Sequence, residues 1–108
     1  MISVYITHPN QDHANRIVGV LLEENLIACA NSWEIQSQYR WEGKMVNEKE
    51  IATLCKTTLE SWTPLVIRVK ELHEYDVPCI EKWDTEASDG FRNWVTQSTK
   101  NYSNHSKS

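Results

Sequence analysis

Tyr39-Arg40-Trp41-Glu42-Gly43-Lys44 lies at the centre of a stretch from Ile27 to Thr57 that decides how the rest of the chain must fold. From Ile27 the odd positions read Ile27, Cys29, Asn31, Trp33, Ile35, Ser37, Tyr39 and Trp41. The even positions read Ala28, Ala30, Ser32, Glu34, Gln36, Gln38, Arg40 and Glu42. One set is mainly apolar and aromatic and the other polar, the period of two that a half-buried strand requires. Glu42-Gly43 turns the chain back, and Ile51-Ala52-Thr53-Leu54-Cys55 supplies a returning apolar strand of the kind covered on both faces. A strand of some fifteen residues would span about 50 Å at roughly 3.3 Å per residue, whereas ordinary strands have about five or six residues. Such a hairpin overshoots a small domain. Its aromatic side needs another surface, most simply a second copy of the same chain.

At 108 residues the chain is long enough to bury a core without staples, and one domain is expected over residues 1–100, with a disordered tail at 101–108. A formal charge of −4 argues against sequence-independent nucleic-acid binding, which needs a basic face. No apolar run approaches the roughly 20 residues of a membrane span. Met1 leads straight into an apolar strand without a signal-peptide pattern, so a cytoplasmic protein with no membrane association is expected. Cys29, Cys55 and Cys79 are far apart, form no CxxC pair, and read as reduced thiols within apolar segments. Two glycosylation-like triplets, beginning at Asn101 and Asn104, are accidental in this context.

Ile2 to Thr7 is rich in β-branched and aromatic residues and predicts a first strand. Asn10 is placed to cap a helix whose stripe is Ala14, Ile17, Val18, Leu21 and Leu22, ending near Asn25. After the long hairpin, Ser61 is placed to cap a second helix with Pro64 in its first turn and Trp62, Leu65, Val66, Val69 and Leu72 buried. Val77 to Trp83 predicts a short edge strand starting at a proline. Ser88-Asp89-Gly90 opens a third helix carrying Phe91, Trp94 and Val95. The order β-α-β-β-α-β-α predicts an α+β fold: a ferredoxin-like βαββαβ sandwich with two helices on one sheet face, an extra C-terminal helix and a long β2–β3 hairpin.

Several segments together resemble the CutA family of divalent-cation tolerance proteins. They are Ile27-Ala28-Cys29-Ala30-Asn31, Tyr39 to Lys44, Lys56-Thr57, Val69-Lys70-Glu71-Leu72-His73-Glu74-Tyr75-Asp76-Val77-Pro78, and Trp94. The resemblance spans Ile2 to about Lys100. It implies a tight homotrimer with hairpins woven across subunit boundaries, a link to copper tolerance and metal-ion binding, and no catalytic reaction. Copper ligands proposed in bacterial members fall here on Ile6, Leu72 and His73, so only the second histidine remains. Glu74 and Cys79 stand where the family usually has proline and glutamate.

Among side chains able to carry chemistry, His73, Cys79 and Cys29 are the candidate ligands for copper or another divalent ion, since imidazole suits Cu(II) or Zn(II) and thiolate adds affinity for Cu(I). The alternative for His73 is a hydrogen bond at a helix C-terminus. His8 and His13, with Asp12, offer a weaker copper site or are ordinary exposed histidines. Lys56, near Cys29 across the sheet, would lower the thiol pKa; otherwise it is a snorkelling lysine beside a packed thiol. Lys56, Tyr75 and Trp41 are candidate residues of an intersubunit cleft. Trp33, Tyr39 and Trp41 are candidate trimer-assembly residues, with stacking on a flat ligand as the alternative. No phosphate loop, serine nucleophile motif or metal-hydrolase spacing is present, so neither an enzyme nor an organic cofactor is expected. A second functional class, a small-molecule sensor or scaffold like the PII trimers, follows only from the likeness of architecture.

Overall fold

The structure is a computed structural model and describes residues 1–100; the tail, its two triplets and His105 lie outside the described residues. The elements are β1 (Ile2–His8), α1 (Gln11–Glu23), β2 (Cys29–Trp41), β3 (Lys44–Thr57), a short 3-10 turn (Leu59–Ser61), α2 (Trp62–Leu72), β4 (Ile80–Asp84) and α3 (Asp89–Ser98). The sheet order is β2-β3-β1-β4 and every pairing is antiparallel. This is the ferredoxin-like arrangement with its added helix.

Local chemistry explains most boundaries. The Asn10 side chain accepts from the His13 backbone N–H at 2.8 Å, satisfying one of the free donors at the start of α1. Asn25 closes α1 in the left-handed region, φ 60°. The hairpin turn places Glu42 at φ 51° and Gly43 at φ 78°, the two-residue turn whose twist matches the flanking strands. Three predicted boundaries differ. Ser61 precedes α2 but makes no capping bond, because the 3-10 turn already holds it in a helical conformation and its hydroxyl faces Thr58 at 3.3 Å. The last strand begins at Ile80 rather than Val77. Pro78 lacks an N–H for the ladder, and Val77 and Cys79 instead line a groove. β2 begins at Cys29, two residues after the predicted start.

Register divides the sheet into two unlike faces. Ile2, Val4 and Ile6 of β1 and Cys55 of β3 pack with Ile17, Leu21, Ile27, Leu65 and Val69 under the helices. The opposite parity carries Tyr5, Trp33 and Trp83, with ring centroids 6.3 Å apart in each neighbouring pair. Among the described residues no helix covers them. Trp33, Trp83 and Trp41 are 42%, 45% and 47% exposed, far outside the burial expected of tryptophan in a finished core. β1 pairs with β3 only from Ile51 to Thr57, so Lys44 to Glu50 have β2 as their one partner strand. That overhang, about 23 Å at ~3.3 Å per residue, stretches the molecule to 53 × 30 × 21 Å.

Candidate metal centre and adjoining groove

At one end of the helix-covered layer, three imidazoles meet. His8 is the last residue of β1, His13 lies in the first turn of α1, and His73 is the first residue after α2. The Pro9-Asn10 connection is short, so the end of β1 and the start of α1 stay adjacent, and α2 returns to the same edge. Each ring offers a nitrogen within 4.8 Å of the others, the one group of potential metal ligands among the described residues. His8 and His13 are 0% and 1% exposed, so the expectation of exposed surface histidines is corrected. His73 is 9% exposed.

Hydrogen-bond directions fix the tautomers. The Glu74 backbone N–H donates to His13 Nε2 at 3.2 Å, so the His13 proton resides on Nδ1. His13 Nδ1 therefore donates to His8 Nδ1 at 2.9 Å. His8 then carries its proton on Nε2 and donates to Thr53 Oγ1 at 3.0 Å. Thr53 in turn donates toward the Ile6 carbonyl at 3.4 Å. For His73, the Tyr75 N–H donates to Nδ1 at 3.1 Å and Nε2–H donates to the Thr7 carbonyl at 2.8 Å. All three rings are thus neutral and oriented by the backbone. Burial lowers the His8 pKa to about 3, with His13 and His73 adding to the effect. Burial also lowers His13 to about 4 and pushes His73 downward, against the pull of Glu74 on each. Neutral imidazole is the form that binds a metal, and burial keeps these rings uncharged near pH 7, although His13 Nδ1 and His73 Nε2 each carry the ring's single proton in this hydrogen-bonded arrangement. Three nitrogen donors at one buried point suit a borderline divalent ion, and the cluster fits that chemistry.

The other candidate ligands lie elsewhere. Cys79 lines a groove of about 630 Å³ beside Thr7, on the helix-free side. Burial raises its thiol pKa, with Glu81 and Glu50 adding to the shift. Cys29 faces Lys56 across the β2–β3 ladder, as the sequence placed it. Lys56 pulls the thiol pKa down, but burial outweighs it and the net shift is upward, which favours the packed thiol over the lysine-activated one of the two readings. Lys56 Nζ donates to Ser3 Oγ at 3.0 Å. Cys29, Cys55 and Cys79 are all free thiols.

Of the three proposed cleft residues, Tyr75 and Trp41 share the groove, whereas Lys56 does not line it. The Tyr75 hydroxyl donates to Glu50 Oε2 at 2.6 Å, and Tyr39 donates to Glu48 Oε1 at 2.5 Å. Glu50, Glu74 and Asp76 are in the lining and no lysine or arginine is. Segment 73–79 therefore closes the imidazole cluster on one side and walls the groove on the other.

Sequence reasoning separated His73 from His8 and His13, yet a signal joining them existed. His8 has the parity of Ile2, Val4 and Ile6, and His13 precedes Ile17 and Leu21 at intervals of four. Both patterns point into the core.

Comparison with known proteins agrees with the fold. The family model for the CutA1 divalent ion tolerance protein matches residues 2–98. The divalent-cation tolerance protein CutA of Pyrococcus horikoshii is 43% identical over 101 residues, covering 93% of this chain and 99% of that one. The crystal structure of the Pyrococcus horikoshii protein superposes with a TM-score of 0.90 at 42% identity, covering 93% of this chain and 99% of the other. A PII-like CutA from a Nostoc species gives a TM-score of 0.87 at 27% identity, over 94% and 100% of the two chains.

Proposed function

Because this chain belongs to the CutA1 divalent ion tolerance family, we propose that it is a non-enzymatic, homotrimeric protein that binds copper or another divalent cation and contributes to metal tolerance. The observation that carries the reading is the buried, neutral cluster of His8, His13 and His73. Bound there, a cation would find three uncharged imidazoles gathered at one point and would have to displace the ring hydrogen bonds among them; of the two readings of His73 this proposal takes the ligand one, while Cys79 and Cys29 stand apart. The trimer is supported by the uncovered row of Trp33, Tyr5 and Trp83 and by the overhanging hairpin with Tyr39 and Trp41. Among the described residues no helix is long and apolar enough to cross a membrane, and a cytoplasmic location belongs to the same proposal.

Calorimetric titration of Zn(II) and Cu(II) into the assembled protein, repeated with His8→Ala, His13→Ala and His73→Ala, tests the site. Loss of the stoichiometric site in each variant is expected. Unchanged binding in all three would overturn it. A sensor of anionic metabolites is disfavoured, because the groove holds Glu50, Glu74 and Asp76 with no basic side chain among its lining residues.

A further inference from the structure

His13 Nε2 meets residue 74 twice. The Glu74 backbone N–H donates to it at 3.2 Å, and Glu74 Oε2 lies 3.7 Å away, outside hydrogen-bond distance but within reach of a small rotation of that exposed side chain. One residue thus provides for both tautomers of one ring. With the proton on Nδ1, His13 uses the backbone donor and passes its own hydrogen to His8 Nδ1 at 2.9 Å. With the proton on Nε2, His13 would use the carboxylate, and its Nδ1 would present a lone pair to the interior. His8 Nδ1 already presents one, because Nε2–H of His8 is committed to Thr53 Oγ1. Two imidazole lone pairs facing each other across a former hydrogen bond repel, unless a cation sits between them.

We propose that Glu74 is the positioning residue of the His8–His13 cation seat. It holds His13 in the Nε2–H tautomer when a borderline divalent cation such as Zn(II) or Cu(II) replaces the Nδ1–H···Nδ1 hydrogen bond. This rests on the cation-binding reading above. A ligating histidine whose second N–H is held by a carboxylate is a recurrent arrangement that orients the ring and raises its basicity. The proton moves from one nitrogen of His13 to the other, so the ring stays neutral and the only charge added to the layer is that of the cation, which the Glu74 carboxylate partly offsets. Hard ions such as Mg(II) or Ca(II), which demand oxygen donors, gain nothing from this pair of nitrogens.

Glu74 is also placed to act without being part of the packing. Its carboxylate is 59% exposed, while His13 beneath it is 1% exposed. Glu74→Ala therefore removes the acceptor and leaves the backbone donor and the core in place.

The test uses the assembled protein and Zn(II) alone. Glu74→Ala is expected to weaken Zn(II) binding about ten- to hundredfold, while Glu74→Gln, which keeps an acceptor oxygen, loses less. Long-range nitrogen–proton correlation spectra of the His13 ring read the tautomer directly. Nδ1–H is expected without Zn(II) and Nε2–H with it. Glu74→Ala within twofold of the parent, with His13→Ala still losing Zn(II), would overturn the role of Glu74 and leave the cluster standing as the site. A Zn(II)-free His13 already protonated on Nε2 would overturn it equally. Parent-like affinity in all three histidine variants would overturn the cluster and this inference together.

Discussion

The two faces of the sheet are built from the same strands and have opposite fates. On the helix side, Ile2, Val4, Ile6 and His8 of β1 are 1% exposed or less, and the polar member of the row has a partner on each nitrogen. On the other side, Tyr5 and the tryptophans gather into a row that stays open. The first face is completed within the chain. The second carries side chains of the size that anchor interfaces and, among the described residues, lacks a neighbour to anchor against. Substitutions should therefore register in folding on the helix side and in assembly on the other.

The strongest way to break this contrast is a cavity under the helices. Leu21→Ala or Ile17→Ala should lower the unfolding free energy by about 2–5 kcal/mol, read by denaturant titration, because both side chains are fully buried. A loss below ~1 kcal/mol would mean that the helix side is not the load-carrying core.

Acid probes the polar corner of the same face. Unfolded histidine titrates near 6.5, whereas His8 and His13 are held at about 3 and about 4 in the fold. Between those values only the unfolded chain takes up the protons. The neutral rings thus contribute stability that is complete above pH 6.5, falls as pH drops below it, and is gone below about 3. The loss should amount to several kcal/mol, at ~1.4 kcal/mol for each tenfold difference in proton affinity, and His8→Asn with His13→Gln should flatten the profile. An unchanged slope in that double variant would assign the acid sensitivity to other groups.

On the open face the expected effect moves from folding to association. Trp33→Ala and Trp41→Ala should change single-chain stability by under ~0.5 kcal/mol, yet shift the sedimenting mass at micromolar concentration from three chains toward one. Glu34→Ala, on the opposite parity of β2, serves as the comparison. If all three variants sediment alike, the tryptophan row is not the assembly surface. The smallest effect belongs to the turn. Glu42 sits at φ 51° with a side chain that disfavours that region, and Glu42→Gly should raise the thermal midpoint through about 1 kcal/mol of relieved strain.

The fold was legible because its signals are local. Alternation over Ile27 to Trp41, the Glu42-Gly43 turn, and the Asn10 and Asn25 helix boundaries each depend on a few consecutive residues. Even the nearness of Cys29 and Lys56 was readable from their places at the two open ends of the hairpin, and they pair directly. The sign of the thiol shift was not readable, since burial, a property of the whole layer, outweighs the neighbouring lysine. The imidazole cluster was hidden for a related reason. His8 and His73 are 65 positions apart (73 minus 8) and meet only when α2 returns to the end of β1. Nothing in the spacing of His13 announced that residue 74 would face it with both a donor and an acceptor.

The turn at Glu42-Gly43 also makes the longest element of the molecule its most local one. Trp41 pairs with Lys44, and each later rung adds only two residues of separation, out to Cys29 with Lys56. A hairpin of this kind closes in about 1–10 μs. Joining Ile2 to Asp84 instead requires closing a loop across 82 positions (84 minus 2), the slow class of contact. The zipper that carries Trp33, Tyr39 and Trp41 is therefore expected to form while β4 is still unplaced, so that each newborn chain displays its open aromatic face before its own sheet is finished.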